Sequence, residues 1–305
     1  MAEAQEPHTV GNGLGPHVVG QRIVVRRLVR GETGPSGGPA LTDLLGVCEA
    51  FGDGVVVVRP ETGPPVAIPF ADVVSGKPVP PRPSVRDRVP AREAQLRGFA
   101  LFPDLVTAPL GDWVLRDSAT ATARRANSVL AFGPAGVGDA VEQVVAHYRR
   151  PVAAVLAGSD EDALLTGMGW VPESHESDTL FQVAGTAQVA RAVRSVDDAG
   201  VSLVEDGGLV TARVGDRASG VAAYADDWVG FRSIEVDPAH RRQGLALQVM
   251  AALLGWGAER GATTAYLQVL GDNAAALALY AGLGFRTHHR YRYLVPAGTR
   301  SASSG

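Results

Sequence analysis

Apolar and polar positions alternate over short stretches at the start of the chain. Residues 21–29 mix Ile23, Val24, Val25, Leu28 and Val29 with charge, and similar runs follow at 43–50, 54–59 and 65–69. Gly/Pro-rich turns such as Pro60-Glu61-Thr62-Gly63 separate them. Four or five strands at spacings of about ten residues predict a small β-barrel over 17–77, after a frayed polar segment 1–16. The stacked prolines of Pro78-Val79-Pro80-Pro81-Arg82-Pro83 predict a stiff linker across 78–90.

Beyond the linker the period switches between helical and extended. Residues 91–117 read as broken helix, 127–132 as a strand, 139–149 as an amphipathic helix, 152–156 as a buried strand, 160–168 as a helix and 179–183 as a strand. Residues 187–194 then read as a helix. Strands follow near 202–205, 209–214, 220–224 and 230–236, a helix at 245–260, a strand at 264–270, a helix at 273–281 and a strand at 286–295. Interleaved helices and strands predict an α/β or α+β sheet protein.

The pattern repeats within the chain. Ala163-Leu164-Leu165-Thr166-Gly167-Met168-Gly169-Trp170 parallels Ala278-Leu279-Tyr280-Ala281-Gly282-Leu283-Gly284-Phe285, at an offset of 115 residues. The strands on either side keep nearly the same offset, so 91–185 and 186–297 are expected to be duplicated lobes, followed by a disordered tail 298–305.

Composition narrows the function classes. Of 305 residues, 46% are hydrophobic and 20% charged, an ordinary globular balance, and the net charge of −4 has the wrong sign for a nucleic-acid binder. No nucleic-acid partner is expected. One cysteine, Cys48, excludes a disulfide framework and a cysteine zinc site, and His288 and His289 lack ligand-spaced companions, so no metal is expected. The opening residues carry no leader pattern, and the apolar stretch 245–258 falls short of the roughly 18 residues a membrane span requires. A cytoplasmic protein with no membrane partner is expected.

The sharpest chemistry lies in Ile234-Glu235-Val236-Asp237-Pro238-Ala239-His240-Arg241-Arg242-Gln243-Gly244-Leu245-Ala246, directly before an apolar helix. A strand running through a turn into a helix leaves the first amides of that helix unpaired, and with the helix dipole they form an anion site suited to a pyrophosphate. Arg241 and Arg242 add charge-assisted donors. The earlier lobe has Phe132-Gly133-Pro134-Ala135-Gly136-Val137-Gly138-Asp139 at the equivalent place, without arginine and with an added acid. That lobe is not expected to bind the same anion.

Arg241-x-x-Gly244-x-Ala246 resembles the pyrophosphate motif [RQ]-x-x-G-x-[GA] of the GNAT superfamily, the acyl-CoA-dependent N-acetyltransferases. Asn273-Ala274-Ala275-Ala276-Leu277-Ala278-Leu279-Tyr280, with Gly284-Phe285, is similar to a second signature of that family. The resemblance covers residues 195–296. It implies a mixed-sheet GNAT fold with two tandem lobes behind an SH3-like or Tudor-like barrel, and acetyl-CoA as co-substrate with an amine acceptor, small molecule or peptide. It also implies that Arg241, Arg242, Gln243, Gly244, Leu245 and Ala246 hold the pyrophosphate, and that Asn273 contacts the cofactor arm. Backbone amides within 234–236 (Ile234 to Val236, Val236 foremost) would face the acetyl carbonyl, and Tyr280 would act as the acid toward the thiolate. Glu235 is the candidate base. By position alone, Tyr280 reads as a packed helix residue and Glu235 as an edge charge. A CoA-binding docking protein and an acetyltransferase of the mycothiol-synthase kind are the competing readings, and the barrel is a candidate site for a protein partner. Two further features stay open: Trp228 as core or cleft residue, and Arg124-Arg125-Ala126-Asn127-Ser128 as a plain turn or the lining of a cleft.

Overall fold

A computed structural model describes Val10 and residues 13–34, 37–60, 62–79, 84–174 and 178–299. Most of the segment 1–16, Glu61 in the predicted turn, the linker core 80–83 and all of the tail after residue 299 lie outside these residues. The chain divides into two compact units, Met1–Pro83 and Ser84–Gly305.

In the first unit, β1 (Arg22–Thr33), β2 (Pro39–Gly52), β3 (Val55–Pro60), β4 (Val66–Pro69) and β5 (Val73–Pro78) form an antiparallel sheet in the order β4-β3-β2-β1-β5. The expected barrel is not closed. β4 and β5 end the order at opposite edges, and each stops at a proline that has no N–H to extend a ladder. Ile23, Val25, Cys48, Val56, Val58 and Ile68 fill its core. Leu14, in the segment expected to be frayed, is fully buried among them.

The second unit opens with α1 (Ala91–Arg97) and a 3-10 turn, Gly98–Leu101. The helical reading of 91–117 holds no further: β6 (Val106–Leu110) and β7 (Trp113–Asp117) are a hairpin. Pro103 and Pro109 break the helix, while Trp113 and Leu115 bury themselves with a period of two. Then come β8 (Val129–Ala131), α2 (Ala140–His147), β9 (Ala153–Leu156), α3 (Asp160–Gly167), β10 (Trp170–Pro172) and β11 (Thr179–Gly185). The later half has α4 (Thr186–Val193), β12 (Ser202–Asp206), β13 (Leu209–Val214), β14 (Ala218–Ala225) and β15 (Trp228–Val236). It ends with α5 (Leu245–Glu259), β16 (Thr264–Leu270), α6 (Ala274–Gly282) and β17 (Arg286–Pro296).

All these strands join one mixed sheet, ordered β12-β13-β14-β15-β16-β11-β17-β9-β8-β7-β6, with β10 paired to β17. Each half contains a parallel pair, β8/β9 and β15/β16, bridged by a helix. The sequence repeat appears as two matching corners. Gly169 and Gly284 both adopt φ near +85 (83 and 89) just past α3 and α6, and the following Trp170 and Phe285 are both buried. The halves also exchange strands. β11 of the earlier half sits between β16 and β17, and β17 reaches across to β9 and β10. Side chains alternate across the sheet. Val229 and Phe231 enter the core under α4, α5 and α6, whereas Trp228 joins Tyr266 and Phe181 on the opposite face, which α1 and the Gly98–Leu101 turn cover.

Candidate active site

The motif residues gather around one cleft of about 1070 Å³ in the later half. Its floor is the end of β15. Ser219 pairs with Glu235 and Val221 with Arg232, so Ser233 and Ile234 together oppose Gly220. This is a β-bulge, with Ser233 at φ 51. Gly220 allows it: a Cβ there would lie 2.5 Å from Ile234 Cδ1 and 2.7 Å from Val249 Cγ1 of α5. Gly220→Ala should therefore destabilise the unit by about 1–3 kcal/mol. Chemical denaturation checks this, and an unchanged midpoint would mean that the bulge and α5 are not tightly packed there.

β15 and β16 pair in parallel only from Trp228/Thr264 to Phe231/Leu267. Past that point both strands continue unpaired to each other, to Val236 and to Leu270, leaving a wedge-shaped gap. From β15 the chain turns through a short 3-10 segment, Pro238–His240, whose Ala239 amide donates to Asp237 Oδ1 at 2.7 Å. It then enters α5 through two left-handed residues, Arg242 (φ 63) and Gly244 (φ 80). The amides of Leu247 and Gln248 donate to the Gly244 carbonyl at 2.9 and 3.1 Å. Those of Leu245 and Ala246 precede the first helical carbonyl available to them. A Cβ on Gly244 would meet no protein atom within 4 Å, so the turn opens into free space.

Of the sequence-predicted residues, Ile234, Glu235, Val236, Arg241, Arg242, Gly244, Leu245, Ala246 and Asn273 all line this cleft. Gln243 is exposed on the same turn but is not among the lining residues. Asn273 caps α6, its Oδ1 accepting from the Ala276 amide at 3.1 Å. Leu279 reaches the cleft; Tyr280, one position further round α6, does not line it. Tyr280 is 8% exposed, packed edge-on to Phe285 with ring centres 5.9 Å apart, and burial pushes its phenol pKa up. Glu235 is exposed and has no ion-pair partner among the described residues. Trp228 is core, 3% exposed beneath the Arg97 guanidinium at 5.0 Å.

Sequence reasoning missed the β13–β14 turn. Arg213, Asp216, Arg217 and Ser219 line the same cleft as Arg241 and Arg242. A two-strand hairpin some 25 residues upstream carries no local mark of this role; only sheet pairing brings it to the cleft. In the earlier half, the loop after β8 is bonded back onto the β6–β7 turn instead. The Asp112 amide donates to Ala135 O at 2.9 Å and the Trp113 indole to Gly133 O at 2.7 Å.

Known proteins resemble this chain in sequence and in fold. The family model described as "Probable histone acetyltransferase Rv0428c C-terminal" matches residues 99–294. The probable histone acetyltransferase Rv0428c of Mycobacterium tuberculosis is 28% identical over 302 residues, 90% of this chain and 95% of the relative. A mycothiol acetyltransferase of Amycolatopsis mediterranei is 34% identical over 145 residues, 44% of this chain and 45% of that protein. Among solved structures, a GCN5-related N-acetyltransferase from Kribbella flavida superposes with a TM-score of 0.50 at 18% identity, covering 70% of this chain and 95% of that one. With the family match spanning most of the chain and the glycine turn before α5 opening beside a splayed parallel strand pair, the chain belongs to the GNAT acetyltransferases, in the group of the Rv0428c C-terminal domain.

Proposed function

We propose that this protein transfers the acetyl group of acetyl-CoA directly to an amine. The observation that carries the reading is the open turn at Gly244, set beside the gap where β15 and β16 part. The fit to acetyl-CoA is chemical as well as spatial. Unpaired helix amides and the paired Arg241 and Arg242 suit a diphosphate, and the gap between strands suits a slender amide-bearing arm whose polar groups bond to strand edges. Bound there, acetyl-CoA supplies the acetyl group as a thioester.

The chain's own groups then divide the work. Arg241, Arg242, Gly244, Leu245 and Ala246 hold the diphosphate, with Gln243 contributing through the same turn. Asn273 orients the arm. The bulge exposes strand amides, and Val236 N–H, with Ile234 beside it, donates to the thioester carbonyl as negative charge grows on that oxygen. Glu235 accepts a proton from the attacking amine, directly or through water. The nitrogen–carbon bond forms and the carbon–sulfur bond breaks, and the Tyr280 hydroxyl, buried next to the cleft-lining Leu279, would have to reach the departing thiolate to protonate it. Burial keeps that phenol protonated at neutral pH.

Thiol release from acetyl-CoA with pooled amines tests the reading, together with calorimetric CoA binding. Amine-dependent release is expected. Tight CoA binding with no release above background would leave a CoA-binding docking protein in its place.

A further inference from the structure

We propose that the acceptor amine carries an anionic group, a carboxylate or a phosphate, which Arg125 and Arg232 hold on the face of the sheet opposite α5. This rests on the transferase reading and names the class of its second substrate. Phe231 and Leu267 are the last paired residues of β15 and β16, and both enter the α5-side core. Arg232 and Gln268, the next residue on each strand, therefore flank the mouth of the gap on the other face. Their contacts agree. Arg232 Nε donates to Leu101 O at 3.0 Å, with its guanidinium 5.4 Å from the Phe102 ring centre, and Gln268 Oε1 accepts from the Tyr291 hydroxyl.

Arg125 reaches the same region from the short Arg124–Ala126 turn. Ala126 packs with Leu101, Phe102, Trp228 and Tyr266. Asn127 pins that turn, its Nδ2 donating to Ala121 O at 2.6 Å and its Oδ1 accepting from the Ser118 amide at 3.1 Å. The neighbouring Arg124 is spent on Glu173 at 2.7 Å, but Arg125 Nη1 is buried with no hydrogen-bond partner among the described residues. Neither Arg125 nor Arg232 forms an ion pair among the described residues, although the chain has 32 acids to 28 bases. Arg116, 2% exposed, bonds Ser128 through O at 3.0 Å and Oγ at 2.6 Å and lies 5.8 Å from the Phe99 ring centre, with no ion pair among the described residues. Burial, and then the positive charge of Arg125, lower the pKa of the Arg232 guanidinium. Folding gains nothing from such a pair, whereas a planar or tetrahedral oxyanion between two guanidinium forks restores the missing charge.

The test is thiol release from acetyl-CoA with matched amines: amino acids against their amides for the carboxylate, and aminoalkyl phosphates against amino alcohols for the phosphate. One anionic series should exceed its neutral counterpart by about 10–100-fold in kcat/KM, the range of a charge-assisted contact. Arg125→Gln and Arg232→Gln should each remove most of that preference through KM, leaving turnover of the neutral amines and KM for acetyl-CoA unchanged. Arg125→Lys should restore part of it. Equal use of neutral and anionic amines by the wild type, or a preference that survives both glutamine variants, overturns the proposal. Should the wild type release no thiol with any member, calorimetry on the CoA-loaded protein decides, with N-acetylglycine and inorganic phosphate as probes and N-acetylglycinamide as the uncharged control. Binding of one anion that Arg125→Gln abolishes supports the site even though the transferase reading has failed; no binding of either anion sinks the site as well.

Discussion

Gly244→Asp is expected to abolish CoA binding while leaving a folded protein. Gly244 sits at φ 80, where a residue with a Cβ is strained by about 1–2 kcal/mol, and its Cβ would project into the open cleft. A carboxylate placed there lies against the proposed diphosphate. At about 4 Å and an effective dielectric near 20, the repulsion is about 4 kcal/mol, roughly a thousandfold in affinity. Folding suffers less, because aspartate is a good N-cap and its charge complements the amino end of α5. Gly244→Ala separates the two effects, since it carries the backbone strain without the charge and should weaken binding by about tenfold. Titration calorimetry with CoA, alongside a thermal melt, reads both variants. Retained tight binding by the aspartate variant would show that the diphosphate lies elsewhere.

Tyr280→Phe is expected to lower kcat by about 10²-fold with little change in KM for acetyl-CoA, the low end of what a general acid contributes. The hydroxyl has no hydrogen-bond partner among the described residues, so its removal leaves no protein group unsatisfied. Stability should shift by well under the cost of a buried, broken hydrogen bond, about 1–3 kcal/mol. Because burial raises the phenol pKa, the wild type should show no loss of kcat attributable to Tyr280 ionisation below about pH 10. Steady-state kinetics decide the matter. Unchanged turnover would leave Tyr280 with the packing role seen against Phe285 and remove it from the chemistry.

Taken together, the two variants probe opposite ends of one path. On the proposed function, Gly244 would govern the charged end of the cofactor, and Tyr280 the thioester end. Between them lies the gap that opens after Phe231 and Leu267, whose far mouth carries Arg232 and Gln268. A loss confined to binding in one variant and to turnover in the other would support a single continuous channel through the sheet.

What the sequence determined by itself is local. The strand-turn-helix from Ile234 to Ala246 needs a left-handed glycine and small residues at fixed offsets, so it is visible in a string of letters. Asn273 as a cap and the Gly284-Phe285 corner are legible for the same reason, and so is the repeat that echoes the corner at Gly169-Trp170. The hairpin in 106–117 stays hidden because one proline and a tryptophan dominate a stretch too short to display its period. Only the tertiary structure decided the rest. It left the first sheet open, seated Leu14 in a core, slid β11 between β16 and β17, and brought Arg213 and Arg217 to the same cleft as Arg241 and Arg242. It also set the Arg124–Ala126 turn and Arg232 on one face of the sheet, though about a hundred positions of chain separate them. Backbone preferences and caps act over a few neighbouring residues, whereas strand order and charge pairing are settled by whichever distant segments bury the same apolar surface, and no short stretch of sequence records that choice.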